Sequence, residues 1–179
     1  IYKDTECESN ERLDKIIEIE ATIYPEIDSG PLGKNLLLNN LFENKLSDWR
    51  VPLGAIWSVN GGVNNSGALV IHASKPPDDK FIYETVVEQC VILNAGEKFG
   101  ISADVKLVNT PLRASANRVN VIWYESTNCT TGGQWGAYIE PKSGSFSWQT
   151  LSNINLTPAL GAKAAKITIV QNGRFSNNA

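Results

Sequence analysis

Hydrophobic and polar residues alternate with a period of two along much of the chain. Phe99, Ile101, Ala103, Val105 and Leu107 are interleaved with Gly100, Ser102, Asp104 and Lys106. That period sends one set to a core face and the other to water, as in a half-buried β-strand. Leu69, Ile71 and Ala73 repeat the pattern, as do Val119, Val121 and Trp123, and then Ala165, Ile167 and Ile169. Turn formers separate these runs: Asn60-Gly61-Gly62, Pro76-Pro77-Asp78-Asp79, Asn94-Ala95-Gly96, Thr131-Gly132-Gly133 and Ser143-Gly144. Short strands punctuated in this way predict an all-β sandwich or barrel.

The N-terminal stretch has its own pattern. Ile17, Ile19, Ala21 and Ile23 alternate with Glu18, Glu20, Thr22 and Tyr24, which predicts one strand over 15–24. Residues 8–15 are polar and suit a short helical turn, with Ser9 as its cap. Asp28-Ser29-Gly30-Pro31-Leu32-Gly33 then breaks the chain. The expected organisation is an arm, 1–33, followed by a domain, 34–179.

Composition narrows the function classes. The chain has 179 residues, of which 42% are hydrophobic, enough for one domain with a core. The net charge is −3 and the basic residues Lys163, Lys166 and Arg174 are scattered, so nucleic acid is not an expected partner. No apolar run approaches the ~20 residues of a membrane span. The chain opens at Ile1 rather than Met and reads as a mature or trimmed product, which is compatible with secretion. Cys7, Cys90 and Cys129 lack zinc-site spacing. The residues alone leave open a Cys90–Cys129 bridge in an oxidising compartment or three buried free thiols.

Nothing points to catalysis. His72 is the one histidine and has no partner set for a nucleophilic triad. Asp78-Asp79, Glu84 and Glu88 are the carboxylates a glycosidase would need, but nothing separates them from ordinary loop acids. Gly61-Gly62 and Gly132-Gly133 read as turns rather than phosphate loops. The aromatic residues are more informative. Trp57, Tyr124, Trp135 and Tyr138 lie near turns or opposite the predicted core face, with Arg118, Asn120 and Gln134 beside them. Flat rings pack on the C–H faces of sugars while planar polar groups hold the hydroxyls. Trp123 is in phase with Val119 and Val121 and belongs to the core.

Asn35-Leu36-Leu37-Leu38-Asn39-Asn40-Leu41-Phe42-Glu43, followed by Trp49, resembles the opening strand of the family 4 and 9 group of carbohydrate-binding modules. Ser66-Gly67-Ala68-Leu69, then Asn94-Ala95-Gly96-Glu97-Lys98-Phe99 running on to Ser102-Ala103, then Pro158 with Gly161-Ala162, are similar to later landmarks of that group in the same order. The resemblance covers residues 35 to about 175. It implies a jelly-roll β-sandwich of two antiparallel sheets, a core role for Trp49, a secreted or cell-surface location and glycan recognition without turnover. Gln89-Cys90 and Cys129 look like the cysteine pair of secreted relatives, which implies a Cys90–Cys129 disulfide. The resemblance also implies a structural Ca2+ held by Glu43 and by carbonyls of Leu41 and the Asn65-Ser66 turn.

The departure lies at the far end. The family closes on a strand carrying an Asp calcium ligand, and no such strand is visible before Ala179. An incomplete sandwich with a spare strand in its arm raises an alternative: a structural subunit of an extracellular filament or surface assembly. In it, residues 15–24 (Ile17, Ile19, Ala21 and Ile23 facing inward) would enter the sandwich of another copy. The arm could equally fold back on its own domain.

Overall fold

The structure is a computed structural model and describes residues 15–26, 35–51, 55–73, 84–108, 117–141 and 147–172. The strands are β1 (Lys15–Glu26), β2 (Ala55–Ser58), β3 (Ala68–Ala73), β4 (Glu84–Ile92), β5 (Lys98–Val108), β6 (Asn117–Tyr124), β7 (Gln134–Ile139), β8 (Gln149–Leu156) and β9 (Ala164–Asn172). They pair antiparallel in a five-stranded sheet, β2-β3-β1-β5-β8, and a four-stranded sheet, β4-β9-β6-β7. From β3 onward the chain passes back and forth between the sheets, only β6 and β7 being consecutive in one. This is the all-β sandwich that the alternating pattern predicts.

The period-two residues meet in the middle. Phe99, Ile101, Ala103 and Val105 of β5 join Val119, Val121 and Trp123 of β6 and Ala165, Ile167 and Ile169 of β9 in one buried cluster. The Phe99 and Trp123 rings lie 6.5 Å apart. Each large apolar side chain withdrawn from water contributes about 1.5–3 kcal/mol, so the inward faces hold the two sheets together.

Residues 35–49 correct the expectation of an opening strand. They form a succession of turns, with Asn39, Phe42, Lys45 and Asp48 at φ of 48°, 51°, 58° and 68°. This segment meets a sheet at the isolated bridge Arg50↔Glu88. The cause is local polar chemistry. Asn39 donates through Nδ2 to the carbonyls of Lys45 and Ser47 and accepts through Oδ1 from the Asn44 N–H. Buried Gln89 accepts from the Leu38 N–H and donates to the carbonyls of Leu38 and Asp48. Side chains that satisfy the backbone in this way compete with a strand ladder. Leu37, Phe42 and Trp49 still anchor the segment in the core. The Trp49 ring sits 5.5 Å from Phe42, in the core role implied for it.

β1 is no appendage. It lies between β3 and β5 and pairs along its whole length with β5, from Ile16↔Val108 to Glu26↔Lys98. Its register sets Ile17 and Ile19 against Ile71 and Leu69, and Ala21 and Ile23 against Ala103 and Ile101. The arm strand is therefore a central strand of its own sandwich. Cys7, Ser9, the break at 28–33, Asp78, Asp79 and the Pro76-Pro77 and Ser143-Gly144 turns lie outside the described residues.

Candidate functional site on the outer face of the four-stranded sheet

Register places the candidate ligand residues in rows across the outer face of this sheet. Tyr138, Asn120, Thr168 and Glu88 stand side by side on β7, β6, β9 and β4, and Arg50 continues that row. The next row is Trp135, Ile122, Lys166 and Cys90. Arg118 occupies β6 on the other side of Asn120. This face is the back of the strands whose front makes the core.

A β-bulge brings the two aromatic rings together. Trp135 and Tyr138 are three residues apart, so strict alternation would send them to opposite faces. The β6–β7 register shifts between Val121↔Ala137 and Ile122↔Trp135, leaving Gly136 as the extra residue. With one residue added, both rings emerge on the outer face, their centroids 6.4 Å apart and their planes at 49°. Gly136 suits this place because a Cβ there would fall 2.5 Å from Trp123 Nε1 and 2.9 Å from the Val121 carbonyl oxygen. Both rings remain about half exposed, Trp135 at 54% and Tyr138 at 46%.

Between and beside the rings lie polar groups with free capacity. Asn120 is 3% exposed, and its amide nitrogen donates to Thr168 Oγ1 at 3.0 Å while its Oδ1 has no partner among the described residues. Because the Thr168 hydroxyl can donate or accept, the amide can present either its oxygen or its nitrogen outward. The Arg118 guanidinium lies 5.4 Å over the Trp135 ring, and its buried Nε has no acceptor among the described residues. Glu88 is committed on both oxygens, to Arg50 Nη1 at 2.9 Å and to Lys166 Nζ at 3.6 Å.

The loop between β6 and β7 closes one end of the face. The Cys90–Cys129 disulfide ties this loop to edge strand β4, so it crosses the end of β9. Ser126 Oγ accepts the Thr130 and Thr131 N–H groups at 2.9 and 3.0 Å and holds the loop's shape. Tyr124 lies under this end, with the Lys166 ammonium 5.1 Å from its ring centroid and Gly133 against its edge. At the other border a groove of about 410 Å3 opens between the sheets, lined by Tyr138, Ile139 and Glu140 and by Thr150–Asn153 of β8.

Arg118, Asn120, Tyr124, Trp135 and Tyr138 thus share one face, and two expected ligand residues do not join them. Trp57 stands on β2 in the other sheet, packed against the core, and donates its indole N–H to the Phe42 carbonyl at 2.6 Å. Gln134 pairs with core-facing Trp123, which puts it on the opposite side of β7 from Trp135. Thr168 and Lys166 belong to the site and were missed. Their phase opposite Ile167 and Ile169 was the available signal.

The calcium ligands fit poorly. Gly67 brings the 42–43 and 65–67 segments together, since a Cβ there would clash with the Phe42 carbonyl oxygen. Yet that oxygen is taken by Trp57, and the Ser66 carbonyl accepts the Gly62 N–H. Glu43 is exposed, Leu41 is 43% exposed, and no group of three His, Cys, Asp or Glu exists among the described residues. With Asn65 and Ser66 these positions supply one carboxylate, so most of the six to eight oxygens calcium takes would have to be neutral. No helix among the described residues is long and apolar enough to cross a membrane. The chain matches no protein-family model and no curated protein.

Proposed function

We propose that this protein is a non-catalytic, extracellular glycan-recognition module that binds on the outer face of its four-stranded sheet. The observation that carries the reading is the pair of half-exposed rings, Trp135 and Tyr138, beside the buried, half-satisfied amide of Asn120. Rings offer apolar platforms to sugar C–H faces, and an unpaired amide in a desolvated floor discriminates strongly for a hydroxyl. The resemblance to the family 4 and 9 modules points the same way, and the Cys90–Cys129 bridge suits an oxidising compartment. Affinity electrophoresis and calorimetry against a panel of polysaccharides test the reading. Trp135→Ala should weaken binding by roughly 1–3 kcal/mol, while Trp57→Phe should leave it unchanged. A folded protein that binds nothing in the panel would count against the reading.

One observation supports a second reading, a self-assembling subunit. β1 is a central strand bonded on both sides, and a segment so placed can be exchanged between identical chains. Ala21 and Ala103 are register partners, so cysteines at both positions would report the route. A crosslinked ladder of oligomers on a non-reducing gel supports exchange; a crosslinked monomer at all concentrations rejects it.

A further inference from the structure

We infer that the ligand of this face is an acidic saccharide whose carboxylate or sulfate is held by Arg118. The inference rests on the glycan reading above and adds a ligand class to it. Of the cations on this face, Lys166 and Arg50 are both spent on Glu88. Arg118 is different. It makes no ion pair among the described residues, although Glu140 follows Ile139 on β7 and so comes next in register after the Val119↔Ile139 pair. Its guanidinium is stacked on Trp135 and its Nε–H is buried without an acceptor. A buried donor left unpaired is costly. The Nη groups are the donors left to meet the oxygens of a carboxylate or sulfate, and charge-assisted bonds of this kind are about twice as strong as neutral ones. A neutral sugar could place only a hydroxyl there.

The rest of the face fits a sugar acid rather than an anion alone. Trp135 presents a platform beside the guanidinium, and Asn120, two residues from Arg118 on β6, holds an unpaired amide oxygen in the buried floor of the face. The chain as a whole is acidic, at −3, so a polyanion gains nothing from its general field and must be captured locally.

Calorimetry on the full chain with galacturonate and mannuronate hexasaccharides, each beside its neutral galactose or mannose counterpart, tests the inference. The acidic members should bind more tightly, and raising the salt should narrow the gap. Arg118→Gln should weaken uronate binding about ten- to hundredfold, well beyond any effect on neutral binding, and Arg118→Lys should fall between. Equal or better binding of the neutral sugars, or uronate binding indifferent to Arg118→Gln but lost in Trp135→Ala, overturns the acidic specificity and leaves the glycan reading standing. Poly-aspartate binding as tightly as the uronates also overturns it, since charge alone would suffice. Absence of binding to every saccharide overturns both.

Discussion

At the scale of single residues, the fold depends on a few side chains that hold irregular backbone in place. Gly136 is the sharpest case. Gly136→Ala puts a methyl against the Trp123 indole and the Val121 carbonyl, so the bulge must shift. The expected loss is about 1–3 kcal/mol in urea unfolding, together with weakened glycan binding as the two rings lose their common face. Gln89 is the second case, because one amide serves three backbone groups of the 35–49 segment. Gln89→Leu keeps the volume and removes all three bonds, and should cost about 2–4 kcal/mol. A third site runs the other way. Asn117 and Gln171 are register partners, 1% and 2% exposed, and all four of their amide atoms lack partners among the described residues. Replacing both by leucine removes unpaired buried polar groups, and the melting temperature should rise.

At the scale of elements, β3, β5, β6 and β9 were legible because each keeps one face in the core and so writes period two into the sequence, and the arm strand was legible by the same alternation. The loop of 35–49 was misread as a strand for a physical reason. Its apolar residues Leu37, Phe42 and Trp49 anchor a chain of turns, and their hydrophobicity mimics a strand while Asn39 and Gln89 satisfy the backbone. The shared face of Trp135 and Tyr138 was legible only in part. Both were candidates, but a bulge is invisible to a pattern that assumes alternation. Trp57 shows the converse, since its place near a turn suggested exposure and the Phe42 carbonyl that fixes it is fifteen residues away in sequence. The disulfide joins the β6–β7 loop to β4 across a sequence separation of 39. Replacing Cys90 and Cys129 by serine should cost about 3–4 kcal/mol by chain entropy, measured as a lower denaturation midpoint. It should also loosen the loop at the end of the binding face.

At the scale of the whole molecule, the sandwich spends its inward faces on cohesion and leaves the back of the four-stranded sheet for chemistry. The disulfide-tied loop walls one end of that surface and the groove beside β8 opens the other. Its rings, the Asn120 amide and the Arg118 guanidinium lie on adjacent hydrogen-bonded strands, which sets their spacing before a ligand arrives. If that surface receives a glycan, the indole N–H resonances of the five tryptophans will report it. Trp49 and Trp57 donate to backbone carbonyls within the protein, whereas Trp135 stands half in solvent. Titration with a binding saccharide, followed by NMR and assigned with Trp135→Phe, should move the Trp135 indole resonance and leave those of Trp49 and Trp57 in place. A Trp135 signal that stays fixed under saturating saccharide, or a shift confined to Trp57, would contradict this account.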